Sequence, residues 1–163
     1  MKKTMTPRGH AALREELRQL KALRPEIAKA IEIARGHGDL SENGDYDAAK
    51  NRSGITEAKI RECEALLSQV EIIDPKNIIN PKKVTFGVTV RIEDVDSGEE
   101  KVLGIYGSEE SDISKGWISY ESPLGRALIG KEEGETVIAK LPGGNKEYEI
   151  QEIYIDYDWT PQE

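Results

Sequence analysis

The chain has 163 residues, with 23 Lys and Arg against 31 Asp and Glu, a formal net charge of −8. That balance argues against tight unassisted binding of DNA or RNA, which relies on neutralising phosphates. A single cysteine, Cys63, excludes an intramolecular disulfide and a cysteine-based zinc cluster.

The charge is unevenly placed. Residues 1–75 carry 13 basic and 13 acidic residues, whereas residues 76–163 carry 10 and 18. No run of about 18 apolar residues exists, so no membrane-spanning helix is expected. The N-terminus, Met1-Lys2-Lys3-Thr4, leads straight into polar amphipathic sequence without an apolar signal core, which makes the cytoplasm the expected location.

Residues 1–75 read as a helical hairpin. Leu13, Leu17, Leu20, Arg24, Ile27, Ile31 and Ala34 alternate spacings of four and three, and Ala49, Ser53, Thr56, Ile60, Cys63, Leu67 and Val70 repeat the pattern. That period is the seam of a left-handed coiled coil. Arg24 is the one bad fit, and Leu23 beside it can supply the missing apolar group. The small residues near the turn allow close approach of the helices there. Cys63 falls on the seam and reads as a buried structural thiol. Pro25 predicts a kink or a junction of two helices; the apolar spacing runs through it without a slip, which favours the kink. Gly36 is expected to stop the first helix in the left-handed conformation. A helix of about 30 residues spans roughly 45 Å, and a lone hairpin of that length is marginal in water, so its far end should dock on something.

Between the seams lies Gly36-His37-Gly38-Asp39-Leu40-Ser41-Glu42-Asn43-Gly44-Asp45-Tyr46, with Asp39, Glu42, Asp45 and Asp47 crowded within a few residues. Carboxylates at the end of a stiff finger suggest a device that carries a metal-binding group into another molecule's cavity. A second reading makes Asp39 the N-cap of the second helix and Glu42 its capping-box partner. Asp45 and Asp47 read as solvated charges favourable to the helix dipole. Leu40 at an exposed turn is better explained by insertion into a partner than by capping. His37 beside Asp39 invites a transition-metal site, but the only other histidine is His10, 27 positions away, which argues against such a site.

The helical pattern ends in Asp74-Pro75-Lys76-Asn77-Ile78-Ile79-Asn80-Pro81. Residues 76–80 are expected to be a linker. Residues 81–156 then form a second domain. Alternating segments at Val88 to Ile92, Lys101 to Tyr106, Thr136 to Leu141 and Glu147 to Ile150 predict strands. Pro142-Gly143-Gly144-Asn145 predicts a hairpin joining the last two. One short helix is predicted over Pro123 to Ile129, capped by Ser122 with Pro123 in its first turn. Residues 157–163 are expected to be a loose acidic tail. The fold class is therefore α+β, a helical hairpin followed by a small, mostly antiparallel sheet with one helix.

Two stretches carry a resemblance. Ala34-Arg35-Gly36-His37-Gly38-Asp39-Leu40-Ser41-Glu42-Asn43 with Tyr46, and Ile118-Ser119-Tyr120-Glu121-Ser122-Pro123-Leu124-Gly125-Arg126-Ala127-Leu128-Ile129-Gly130-Lys131-Glu132-Glu133-Gly134, are similar to motifs of the GreA/GreB transcript cleavage factors, and to the GreA type more than the GreB type. The resemblance covers about Met5 to Ile155. It implies an antiparallel coiled coil, a C-terminal domain of FKBP-like fold, and binding to bacterial RNA polymerase through its secondary channel. The implied role is a transcription elongation factor, not itself an enzyme, that stimulates the polymerase's own cleavage of the nascent RNA 3′ end in backtracked complexes. Asp39 and Glu42 would help hold a second Mg²⁺, shared with the polymerase and bound only in that complex. Tyr46 would pack against the displaced nucleotide, Arg35 and Lys50 would contact RNA phosphate, and Leu40 and Asn43 would contact RNA or support the tip. Ser122, Pro123 and Leu124 would touch the polymerase. A monomer is expected.

Gly44 departs from the resemblance, since many members carry alanine there, and it weakens the first helical turn by up to about 1 kcal/mol. Two other readings compete. One is a same-fold inhibitor that enters the secondary channel and blocks catalysis; Asp39-Leu40-Ser41-Glu42-Asn43 with Tyr46 argues against it. The other is a prolyl isomerase or chaperone-like module, but fold alone does not carry activity, and residues 76–163 show no recognisable aromatic isomerase pocket.

Overall fold

The heptad pattern is realised as two helices, α1 (Pro7–Arg35) and α2 (Gly44–Ser68), in a computed structural model that describes residues 3–37 and 43–161. Leu13, Ile27 and Ala34 on α1 and Ala49, Thr56, Ile60 and Cys63 on α2 are buried. Leu17, Leu20, Ile31, Ser53, Leu67 and Val70 are half-buried. Arg24 alone of the seam positions is exposed; its Nε donates to Glu57 Oε2 across the hairpin at 3.0 Å, while Leu23 is half-buried. Lys21 faces Glu64 at 3.7 Å. Oppositely charged pairs beside an apolar seam fix the pairing of the two helices. Burial pushes the Cys63 thiol above its ordinary pKa, as expected of a seam thiol.

One local alternative falls and one local expectation is corrected. α1 runs through Pro25 as one helix, with the proline on an exposed position, so the two-helix alternative falls. Gly36 follows the end of α1 without adopting the left-handed conformation. The Gly36 N–H instead donates to the Glu32 and Ile33 carbonyls at 3.3 and 3.1 Å, and the His37 N–H to the Ala34 carbonyl at 3.1 Å. The last turn thus tightens toward 3₁₀ geometry, another way to satisfy terminal carbonyls.

The second half of the chain forms five strands: β3 (Thr89–Asp94), β4 (Glu100–Tyr106), β5 (Trp117–Ser119), β6 (Thr136–Leu141) and β7 (Gly144–Tyr154). Their order is β5-β4-β3-β7-β6, with β5 parallel to β4 and every other pair antiparallel. Alternate side chains turn inward, as a half-buried sheet requires. Val88, Val90, Ile92, Ile105, Ala139, Tyr148 and Ile150 reach the core, closed by Leu128 of α3 (Pro123–Leu128). The predicted cap of α3 is present: Ser122 Oγ accepts from the Gly125 N–H at 3.1 Å. The β6–β7 hairpin pairs Leu141 with Gly144, leaving Pro142 and Gly143 as its loop. Gly144, at φ of 120°, takes a backbone conformation that disfavours other residues.

Three short strands were not foreseen: β5, and the two-stranded sheet of β1 (Lys3–Met5) and β2 (Val70–Ile72). They also move the domain boundaries. The two compact units are residues 1–9 with 71–163, and residues 10–70. Glu110 ties the described residues of the first segment, through Thr6 and Arg8, to the sheet. Its carboxylate accepts from the Thr6 N–H at 2.9 Å, the Thr6 hydroxyl at 2.7 Å and the Arg8 guanidinium at 3.1 Å. The Arg8 guanidinium also lies 3.8 Å from the Trp117 ring centroid and within 5.0 Å of those of Tyr106 and Tyr157. Residues 76–80 are no plain linker, since Pro75–Asn77 form a 3₁₀ turn capped by Asp74 within the sheet unit. Nor does a loose tail begin at 157: Tyr157 is buried and its hydroxyl accepts from the Arg8 N–H at 3.0 Å. Among the described residues no helix is long and apolar enough to cross a membrane.

Candidate functional site at the hairpin tip

The end of α1 and the start of α2 bring four of the expected site residues together. Arg35 closes α1, where a cation suits the negative end of the helix dipole. Asn43 is the N-cap of α2, its Oδ1 accepting from the Tyr46 N–H at 3.0 Å. The same side chain donates through Nδ2 to the Ala34 carbonyl on α1. One amide thereby satisfies an orphan donor of one helix and a terminal acceptor of the other.

Tyr46, half-buried, sits between two cations carried by opposite helices. The Arg35 guanidinium and the Lys50 ammonium each lie 5.7 Å from its ring centroid. Arg35, and after it the charge of Lys50, hold the Tyr46 phenol below its ordinary pKa. The arrangement gathers two positive charges and an aromatic face at one end of the hairpin. Those groups suit a phosphate and a base or sugar face, respectively.

His37 and Asp45 approach to 3.7 Å, both exposed, and form a further link between the two sides of the turn when the histidine is protonated. Asp45 and Asp47 occupy the first turn of α2, as a dipole-complementing role requires. Among the described residues no group of three or more His, Cys, Asp or Glu side chains is arranged to hold a metal ion.

Asp39, Leu40 and Glu42 lie outside the described residues. The capping-box reading of the first two acids is nonetheless corrected, because the N-cap position belongs to Asn43 and α2 begins at Gly44. The sequence signal for Asn43 was present: an asparagine followed by Asp45 and Asp47, acids suited to a first helical turn. Its second bond, to Ala34, had no local signature.

The other expected site residues lie in the sheet unit. Ser122 is half-buried and its hydroxyl is used inside the fold, donating to the Ser119 carbonyl at 2.6 Å while capping α3. Leu124 packs against the core, and Pro123 is exposed. Of these three, Pro123 is the one with its surface open to a partner.

Residues 3–72 match the family model described as the N-terminal region of transcription elongation factors, and residues 79–155 the model for the C-terminal region of GreA/GreB transcription elongation factors. The transcription elongation factor GreA of Alkalilimnicola ehrlichii is 49% identical over 150 residues, covering 91% of this chain and 95% of that protein. The GreA of Vibrio cholerae is 50% identical over 149 residues, covering 91% and 95%. Among solved structures, the GreA/GreB factor of Nitrosomonas europaea is similar at 25% identity and a TM-score of 0.41, covering 94% of this chain and 99% of that one.

Proposed function

The chain belongs to the GreA/GreB family of transcription elongation factors, and on that premise we propose that it binds bacterial RNA polymerase and stimulates the polymerase's own cleavage of the RNA 3′ end in backtracked complexes. In this reading the hairpin enters the secondary channel tip first, and the sheet unit supplies polymerase contacts that include the exposed Pro123.

The observation that supports the reading is the described part of the tip, where the Arg35 guanidinium and the Lys50 ammonium each lie 5.7 Å from the Tyr46 ring centroid, two cations and an aromatic face suited to a phosphate and a nucleotide. Carboxylate oxygens are the donors a hard divalent cation takes, usually one or two beside several waters, so the residues present fit Mg²⁺. When bound, a second Mg²⁺ stabilises both the attacking and leaving oxygens of phosphodiester hydrolysis.

The rest of the work falls to side chains of this chain. Asp39 and Glu42 provide ligand oxygens and orient the attacking water. Arg35 and Lys50 hold an RNA phosphate, Tyr46 packs on the displaced nucleotide, and Leu40 inserts into the host enzyme. The protein is then a cofactor of the polymerase's active site, not a catalyst by itself.

The test is transcript cleavage in stalled, backtracked elongation complexes with and without the full-length protein. Faster release of short 3′ fragments is expected, followed by resumed elongation. Loss of elongation with no rise in cleavage would instead establish a channel-blocking inhibitor.

A further inference from the structure

We propose that Asn43 is a positioning residue for the tip, and that its cross-helix bond to Ala34, separately from its capping bond, governs how well the neighbouring carboxylates act. This rests on the cleavage-factor reading above. Asn43 is the only described side chain that hydrogen-bonds a backbone group on each helix of the hairpin: Nδ2 donates to the Ala34 carbonyl and Oδ1 accepts from the Tyr46 N–H at 3.0 Å. Ala34 and Ala49 beside it are both buried, so the helix ends approach with no large side chain between them. Ala34 O also accepts from the His37 N–H at 3.1 Å, which places the close of α1 and the cap of α2 on one connected set of bonds.

Glu42 is the residue next to Asn43 in the chain, and Asp39 lies four positions before it. Among the described residues, the Asn43 amide is the group that hydrogen-bonds the ends of both helices flanking that stretch. A ligand pair delivered to a cation held by another enzyme must arrive in one geometry, and small displacements of such groups reduce rates steeply. Asparagine is suited to the base of such a turn because it is an N-cap residue that also carries a donor. Serine and aspartate cap as well, but serine is too short to cap and reach Ala34 together, and ionised aspartate has no proton to donate.

The two bonds can be separated by substitution. Asn43→Ser keeps a neutral capping oxygen and removes the tie; Asn43→Ala removes both. In the free protein, amide hydrogen exchange by NMR should show His37 exchanging about fivefold faster in Asn43→Ser, the effect of losing one ordinary hydrogen bond, with Tyr46 unchanged. In Asn43→Ala both amides should speed up. Unchanged His37 exchange in Asn43→Ser would overturn the tie.

The functional arm is the Mg²⁺ dependence of stimulated cleavage, with polymerase affinity measured in parallel by competition. Asn43→Ser should raise the Mg²⁺ concentration for half-maximal cleavage by about fivefold, with recovery at high Mg²⁺ and affinity within about twofold of wild type. A Mg²⁺ profile for Asn43→Ser that overlays wild type, with Asn43→Ala alone impaired, would mean that the residue is only a cap and would overturn the proposal. Wild-type protein that fails to stimulate cleavage at any Mg²⁺ concentration would sink the cleavage-factor reading itself, a result distinct from either.

Discussion

The hairpin and the sheet unit are held together in different ways. In the hairpin the buried residues run in file along one seam, from Leu13 through Ile27 and Ala34 to Ala49, Ile60 and Cys63, and the file includes the polar Thr56. In the sheet unit they meet in three dimensions: Val84, Val88, Val90, Ile92, Ile105, Leu128, Ala139, Tyr148 and Ile150 form one cluster spanning four strands and a helix. A seam can accept small and polar residues because its neighbours on two sides are water and ion pairs such as Arg24–Glu57. A packed cluster cannot. The difference teaches that tip geometry is set by short side chains and a few hydrogen bonds, while most of the packing energy lies elsewhere.

The comparison can be broken most severely at Glu110. Its side chain is 4% exposed and pairs with Arg8 at 20% exposure. Glu110→Ala leaves the guanidinium and the Thr6 donors without their acceptor, which should cost about 3–5 kcal/mol of sheet-unit stability. Chemical denaturation should show a lower midpoint, and hydrogen exchange should show residues 3–9 released. A midpoint unchanged from wild type would mean that the cation–π contacts of Arg8 suffice alone.

The next test sets the two cores against each other. Ile92→Ala in the cluster and Ile60→Ala in the seam both remove a side chain that is at most 1% exposed. Each should cost about 2–5 kcal/mol, with the seam variant toward the low end because a two-helix interface can collapse around the gap more readily. Separate urea transitions followed by strand and helix signals would measure both, and a larger loss in the seam would reverse the comparison.

Much of this was legible beforehand, and the pattern of failures is physical. The seam was readable because a period of 3.5 repeated over many turns is a long signal; only Arg24 departs, and it departs toward Glu57. The strands β3, β4, β6 and β7 and the Ser122 cap were readable from alternation and local cap chemistry. β1, β2 and β5 were not, because three residues carry no usable period and β1 pairs with a segment more than sixty positions away. The attachment of Thr6 and Arg8 to the sheet depends on Glu110, a long-range buried acid whose partners leave no trace near it in sequence. At the tip, Arg35, Tyr46 and Lys50, which the resemblance placed in one site, lie together in the structure, the two cations on opposite helices. The alternative that made Asp39 the cap arose because aspartate and asparagine are both good caps, and only the register of α2, which begins at Gly44, selects Asn43.

A smaller effect sharpens the tip. Gly44 is the first residue of α2, has no positive φ, and a Cβ built on it meets nothing within 4 Å. Gly44→Ala should therefore stabilise the hairpin by up to about 1 kcal/mol, read as a higher melting temperature of the helical signal. A fall in melting temperature would mean that the turn needs the freedom of glycine.

The smallest effect is a pH dependence confined to the hairpin flank. Arg24 holds the Glu57 carboxyl below its ordinary value of 4.5. A depressed folded-state pKa adds stability that is fully present above the unfolded value and is lost as pH falls through the folded one. Wild-type hairpin stability should therefore decline below about pH 4.5 more steeply than that of Glu57→Gln, in thermal melts recorded from pH 6 to pH 3. Parallel curves would show that the exposed pair contributes nothing.

The central claim is that the hairpin tip delivers the chemistry and the remainder of the protein delivers the binding. Its most direct test is single-turnover cleavage of a backtracked transcript by purified polymerase with wild type, Asp39→Ala and Glu42→Ala, alongside competition binding to the same polymerase. The account predicts a fall in stimulated cleavage of about 100-fold or more for each variant, the scale of a lost metal ligand, with affinity within about twofold of wild type. Cleavage and affinity falling together, or cleavage persisting in both variants, would contradict it.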